Sequence, residues 1–122
     1  MAAGKRSMPH EPRKLLWDAR DALDAVSGFI TGKTREEFVA DRLPRSGVER
    51  QFEIAGEALA KLAKLNPQTA LRITDLRRAV AFRNVLIHGY ADVDPELVWR
   101  VATEHMPGLR ENLDELLTDS RS

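Results

Sequence analysis

Apolar side chains in this chain fall into stripes that step by three and four residues. Leu16, Ala19, Leu23, Val26 and Ile30 form one such stripe, and Val48, Phe52, Ala55, Leu59 and Leu62 form another. Steps of three and four return to one face of an α-helix, whereas a half-buried strand alternates with period two. With no period-two run of Val, Ile and Thr, the pattern predicts an all-α fold, an antiparallel helical bundle of four main helices plus short helices. The 122 residues suffice for one domain with one core.

Capping signals divide that domain. Residues 1–12 carry no apolar period and read as a flexible N-terminal tail, leaving 13–122 as a single helical domain. The first helix is expected from about Arg13 to Ile30, closed at Gly32. Thr34 and Glu37 make a capping box for a short helix carrying Phe38 and Val39. Pro44 is expected to end that segment. Ser46 and Glu49 make a second box, opening a helix to about Leu65. Asn66 followed by Pro67 opens a short helix to Ile73. Thr74 or Asp75 caps the next, which runs to His88 and stops at Gly89. Asp94-Pro95 opens the last, from Glu96 to about Leu117, which Pro107 and Gly108 should kink or split. Trp17 and Trp99 are expected to pack in the core.

Composition removes whole classes of function. Lys plus Arg equals Asp plus Glu at 19 each, so the chain does not grip nucleic acid by bulk charge. With no Cys it has no disulfide and no thiolate metal site. His10, His88 and His105 lack acidic neighbours at metal-ligand spacing, so neither a metal nor a cofactor is expected. No apolar run is long enough to span a membrane, and the N-terminal residues lack the apolar core of a secretory signal, so a cytoplasmic location is expected. Thr31-Gly32-Lys33-Thr34 resembles the end of a phosphate loop, but the first glycine of that motif falls on Ser27 and no strand precedes it.

The chemistry concentrates between Ala79 and Tyr90. Seven of the nine residues from Ala79 to Ile87 are apolar, on every side of the helix, which predicts burial on most faces. Arg83 and Asn84 interrupt it. A buried guanidinium needs a partner, and Glu57, a lone charge in the apolar stretch from Ile54 to Ala60, is the candidate, in one chain or across a dimer. Beyond Arg83 lie His88, Gly89 and Tyr90. Arg neutralises phosphate oxygens with a planar fork of donors, and His exchanges a proton near neutral pH. RNA carries its own nucleophile in the 2′-hydroxyl, so one base, one acid and one cation suffice. On a straight helix, however, Arg83 and His88 point about 140° apart. A single site needs the helix end to unwind, a long arginine reaching round, or a second chain. Arg72, Arg77, Arg78 and Arg83 could form a basic lip beside this motif. Glu111, Asp114, Glu115 and Asp119 make an acidic C-terminus suited to solvent or a basic partner.

At these residues the chain resembles the HepT-like toxin family of the HEPN superfamily, helical bundles of which many are ribonucleases that need no metal. The family's Arg-x-x-x-x-His-x-Tyr stands complete as Arg83-Asn84-Val85-Leu86-Ile87-His88-Gly89-Tyr90. Gly56-Glu57-Ala58 looks like the family's segment in the third helix, and Phe38-Val39-Ala40-Asp41 is similar to its Phe-x-x-Asp. Asp92-Val93-Asp94 with Val98-Trp99 looks like the segment after the Tyr. The likeness spans about Leu15 to Leu117. Leu76 stands where the family usually has Trp, Ala81 where a Gly is common, and the linker from Asn66 to Thr74 is unlike the family's Pro-rich turn.

The resemblance implies a homodimer with the motifs near its two-fold axis. It implies the toxin of a toxin–antitoxin pair, an RNA substrate, and a minimal nucleotidyltransferase antitoxin that can transfer AMP to Tyr90. Arg83 and His88 would be catalytic, with Arg83 stabilising phosphate charge and His88 acting as general acid or base. Asn84 and Glu57 would support them, orienting His88 and Arg83. Two other readings compete. One is a catalytically silent HEPN-like module that assembles with the nucleotidyltransferase. The other is a structural bundle in which Arg83 and Glu57 are only a core ion pair.

Overall fold

The computed structural model describes residues 10–89 and 93–119. Helices α1 (His10–Ile30), α2 (Arg35–Ala40), α3 (Arg42–Leu65), α4 (Pro67–Ala70), α5 (Leu76–His88), α6 (Pro95–Arg100) and α7 (Met106–Asp119) follow in order, with a π-helical turn at Val101–His105 joining α6 to α7. No strand occurs among the described residues, and the architecture is an all-α, HEPN-like helical bundle.

The two apolar stripes meet as their spacing requires. Helix α1 packs along α3 and also on α7, α3 carries α5 on another side, and α2 lies against α6. Leu16, Leu23 and Val26 of α1, Val48, Leu59 and Leu62 of α3, and Leu113 of α7 are wholly buried, each worth roughly 1.5–3 kcal/mol relative to exposure. Phe38 is also wholly buried and meets Trp99 with ring centroids 5.3 Å apart. Arg20 to Asp114 at 2.8 Å and Arg110 to Asp24 tie α7 to α1. Both pairs are partly exposed, so they set the register of the two helices more than they stabilise it.

Several boundary signals act as read. The Thr34 side chain accepts from the Glu37 N–H at 3.1 Å and the Glu37 carboxylate accepts from the Thr34 N–H at 2.9 Å, a reciprocal cap worth about 1 kcal/mol. Gly32 closes α1 at φ +80°, where a side chain would be strained. Asn66 caps α4 with Pro67 at its first position.

Other expectations need correction. Helix α1 begins at His10, inside the segment read as a tail. Pro44 does not end a segment, and Ser46 does not start one: α3 already begins at Arg42, capped by Asp41, whose carboxylate accepts from the Leu43 N–H. Pro44 sits in the first turn, where a missing N–H costs no helical bond. Helix α4 stops at Ala70 rather than Ile73. Asp75 precedes α5 but makes no side-chain cap. The disturbance from Pro107 takes the form of the π turn, in which the Met106 N–H reaches back to the Val101 carbonyl. A wider turn relieves the clash between the proline ring and the preceding turn. Trp17 is 40% exposed, with Arg20 stacked 5.7 Å from its ring centre, because it stands about 100° from Leu16 and off the apolar stripe. The acidic C-terminus is partly used within the chain, Asp114 by Arg20 and Asp119 by Arg72 at 3.4 Å.

Candidate functional site

Helix α5 carries the motif, and it is the least covered of the main helices. None of its residues is fully buried. It rests on α3 through Ala79, Phe82 and Arg83, which lie on one side by helical phase. Phe82 meets Phe52 edge to face at 5.4 Å. The expected burial on most faces is therefore not met within one chain: Ala81, Val85 (48%) and Ile87 (42%) stay exposed. On the side facing the π turn and α7, Ala81, Phe82 and Val85 help line an apolar cleft of about 440 Å³, floored by Leu23, Phe52 and Met106. Arg78 and His105 stand on the same cleft, with Arg78 Nη1 3.3 Å from His105 Nδ1. A guanidinium only donates, so Nδ1 is the acceptor of this contact.

The helix remains regular through His88, and Gly89 follows in extended conformation with its N–H on the Val85 carbonyl. The end does not unwind before the histidine. Instead the arginine reaches round: Arg83 Nη1 donates to Asn84 Oδ1 at 3.0 Å. Asn84 lies one turn before His88, so these two share a face. Asn84 and His88 are exposed and Arg83 is half-buried. The structure thus brings the guanidinium to the face that carries Asn84 and His88. Arg83 Nε is buried and donates to no protein acceptor. Tyr90 lies outside the described residues.

Glu57 does not meet Arg83 within the chain. It is exposed and lies 3.9 Å from Lys61, its neighbour one turn on. The reason is helical phase. Gly56 faces α5, and Glu57 is turned about 100° away. A purely structural core pair of Arg83 with Glu57 therefore has no basis in the single chain. The residue that positions Arg83 is Gly56, where an added methyl would overlap Arg83 Cβ and Cγ and sit 3.0 Å from the Ala79 carbonyl oxygen. The sequence signal for this was present: a glycine amid alanines in a helix interior, where glycine is otherwise unfavourable. The cleft and the Arg78–His105 contact had no such signal, since they depend on how far α7 stands from α5.

Among the described residues, no three His, Asp or Glu side chains gather as metal ligands would, and no helix is long and apolar enough to cross a membrane.

Comparison with known proteins places this geometry in a family. A relative from Thermococcus cleftensis, "Probable ribonuclease HepT", is 26% identical over 113 residues, covering 89% of this chain and 98% of the relative. "Putative RNase MJ1216" of Methanocaldococcus jannaschii is 26% identical over 107 residues, 88% of each chain. "Putative RNase TTE0752" of Caldanaerobacter subterraneus subsp. tengcongensis is 27% identical over 106 residues, 87% of this chain and 94% of the relative. No solved structure matches the chain significantly. The family model "Ribonuclease HepT-like" matches residues 19–116, which takes in α2 to α6 whole and most of α1 and α7: the chain belongs to the HepT-like ribonuclease family.

Proposed function

We propose that the chain is an endoribonuclease toxin that cuts RNA without a metal ion and is held in check by a nucleotidyltransferase antitoxin. The observation that carries this reading is the Arg83–Asn84 hydrogen bond, which turns a cation toward the exposed face of α5 that also bears His88. In the reaction proposed, the ribose 2′-oxygen attacks the adjacent phosphorus and the 5′-oxygen departs. The attacking oxygen loses a proton and the leaving oxygen gains one. His88 serves one of these transfers, worth roughly 10²–10⁴-fold. Arg83 neutralises charge that gathers on the non-bridging oxygens. Asn84 holds Arg83 and lies one turn from His88. The products are a 2′,3′-cyclic phosphate and a 5′-hydroxyl.

A homodimer accounts for the remaining surface. Ala81, Val85 and the apolar cleft form a face that water solvates poorly, and a second copy would cover it beside the motif. Such a partner also supplies the second acid–base group that one chain does not bring to His88. Tyr90, two residues beyond His88, is the proposed acceptor of AMP. Its hydroxyl would attack the α-phosphorus of ATP and release pyrophosphate. A charged nucleotide so close to His88 would repel an RNA phosphate and occlude it.

The test is RNA cleavage by the purified chain in excess EDTA, with the intact mass recorded on the same sample. Cleavage with cyclic phosphate ends by an unmodified chain is the expected result. An unmodified chain that dimerises, binds the nucleotidyltransferase and cuts no RNA would instead establish the silent assembly module.

A further inference from the structure

The basic lip foreseen beside the motif is not one surface. Arg72 is paired with Asp119. Arg78 points to His105 on the cleft. Arg83 is held by Asn84. Among the described residues, Arg77 alone of these four makes no ion pair or side-chain hydrogen bond, and it is exposed. Its place on the helix is specific. At about 100° per residue, Arg77, Ala81, Asn84 and His88 fall within about 40° of one line, directly opposite the side that rests on α3. Of the residues lining the cleft, Arg78, Phe82 and Val85 lie around the helix from that line, and Ala81 lies at its edge. A second copy seated on the cleft would therefore leave the line of Arg77, Asn84 and His88 along its edge.

Arg77 does not serve its own helix. It sits in the first turn, at the positive end of the helix dipole, where a cation is disfavoured. No acidic residue stands three or four positions from it on α5 to offset that cost. Eleven residues at 1.5 Å rise put it about 16 Å from His88 along the axis. That is too far to touch the phosphate being cut and well placed for another phosphate of the same strand.

We infer that Arg77 is an RNA-binding residue of α5, gripping a phosphate remote from the scissile one and so fixing how the strand lies on Asn84 and His88. This rests on the ribonuclease reading proposed above. A phosphate contact carries no base preference, so its loss weakens binding evenly across sequences and flattens the salt dependence.

The experiment measures binding of single-stranded RNA oligomers to the full chain carrying His88→Ala, so that the strand stays intact, across a salt series. Arg77→Gln is compared with Lys14→Gln on α1, which removes the same charge from a helix that packs on α3 and α7. Arg77→Gln is expected to weaken binding roughly threefold to tenfold and to make the slope of log K on log salt shallower by about 0.7. Arg77→Lys is expected to restore most of the slope, and Lys14→Gln to change little. An unchanged affinity and slope for Arg77→Gln, with RNA still bound and cleaved by the chain that retains His88, overturns the inference and leaves the ribonuclease standing. Equal losses from Arg77→Gln and Lys14→Gln overturn it too, since net charge alone would then account for binding. A parent chain that neither binds nor cuts RNA overturns the ribonuclease reading and this inference together.

Discussion

Replacing His88 with Ala is expected to abolish RNA cleavage while leaving the fold intact. Loss of a positioned proton-transfer group costs roughly 10²–10⁴-fold, equivalent to about 3–5 kcal/mol of the activation barrier. The same side chain does little for stability. It is exposed in the last turn of α5 and makes no hydrogen bond among the described residues. What it contributes there is the interaction of a C-terminal cation with the helix dipole, about 0.3–1 kcal/mol when charged. Cleavage rate and thermal melting, measured on the same preparation, separate the two effects. A variant that cuts RNA at the wild-type rate would remove His88 from the chemistry. A variant that unfolds would mean that this exposed residue carries structure no contact explains.

The second large effect is expected at Gly56, far from solvent and without any chemistry of its own. Gly56→Ala should destabilise the chain by about 1–3 kcal/mol, the usual cost of overpacking a tight contact. Alanine is by itself the better helix former by roughly 0.5–1 kcal/mol, so a destabilised variant isolates the steric term. The overlap is with Arg83 Cβ, next to the backbone of α5, and with the Ala79 carbonyl. Neither atom swings aside as the tip of a long side chain can, so α5 itself must move. Because Arg83 rides on the displaced segment, cleavage should fall more than stability suggests. A misplacement of about 1 Å costs on the order of 100-fold in a positioned site. Melting temperature and single-turnover cleavage are the two readings. A stabilised Gly56→Ala chain with full activity would show that the helices tolerate the methyl.

These two residues also mark where the sequence was legible. The stripe from Leu16 to Val26 could be placed without a structure because helical period and burial agree along it. So could the Thr34 cap, whose chemistry is entirely local. Ser46 misled for the same reason: Ser-x-x-Glu is a cap only when no helix already runs through it, and Asp41 starts α3 a turn earlier. Glu57 carries the charge, while within the chain the contact with Arg83 belongs to its silent neighbour Gly56. A step of one residue turns a side chain from α5 to solvent. The apolar run of α5 reads as burial on most faces, and one chain covers only some of them. Apolar composition states that a surface is better covered, and it does not say by which chain.

That uneven coverage sets an order of opening. A helix held from one side, with an open cleft on another, has fewer contacts to lose than α1 or α3 when it detaches. Its amides are expected to exchange with deuterated solvent before those of α1 and α3 in the unassembled chain, through a local detachment of α5 and not through global unfolding. Whatever covers α5 then slows that exchange in proportion to its affinity. Under the proposed dimer, the helix that carries Arg83 and His88 is the part of the molecule whose ordering answers to assembly.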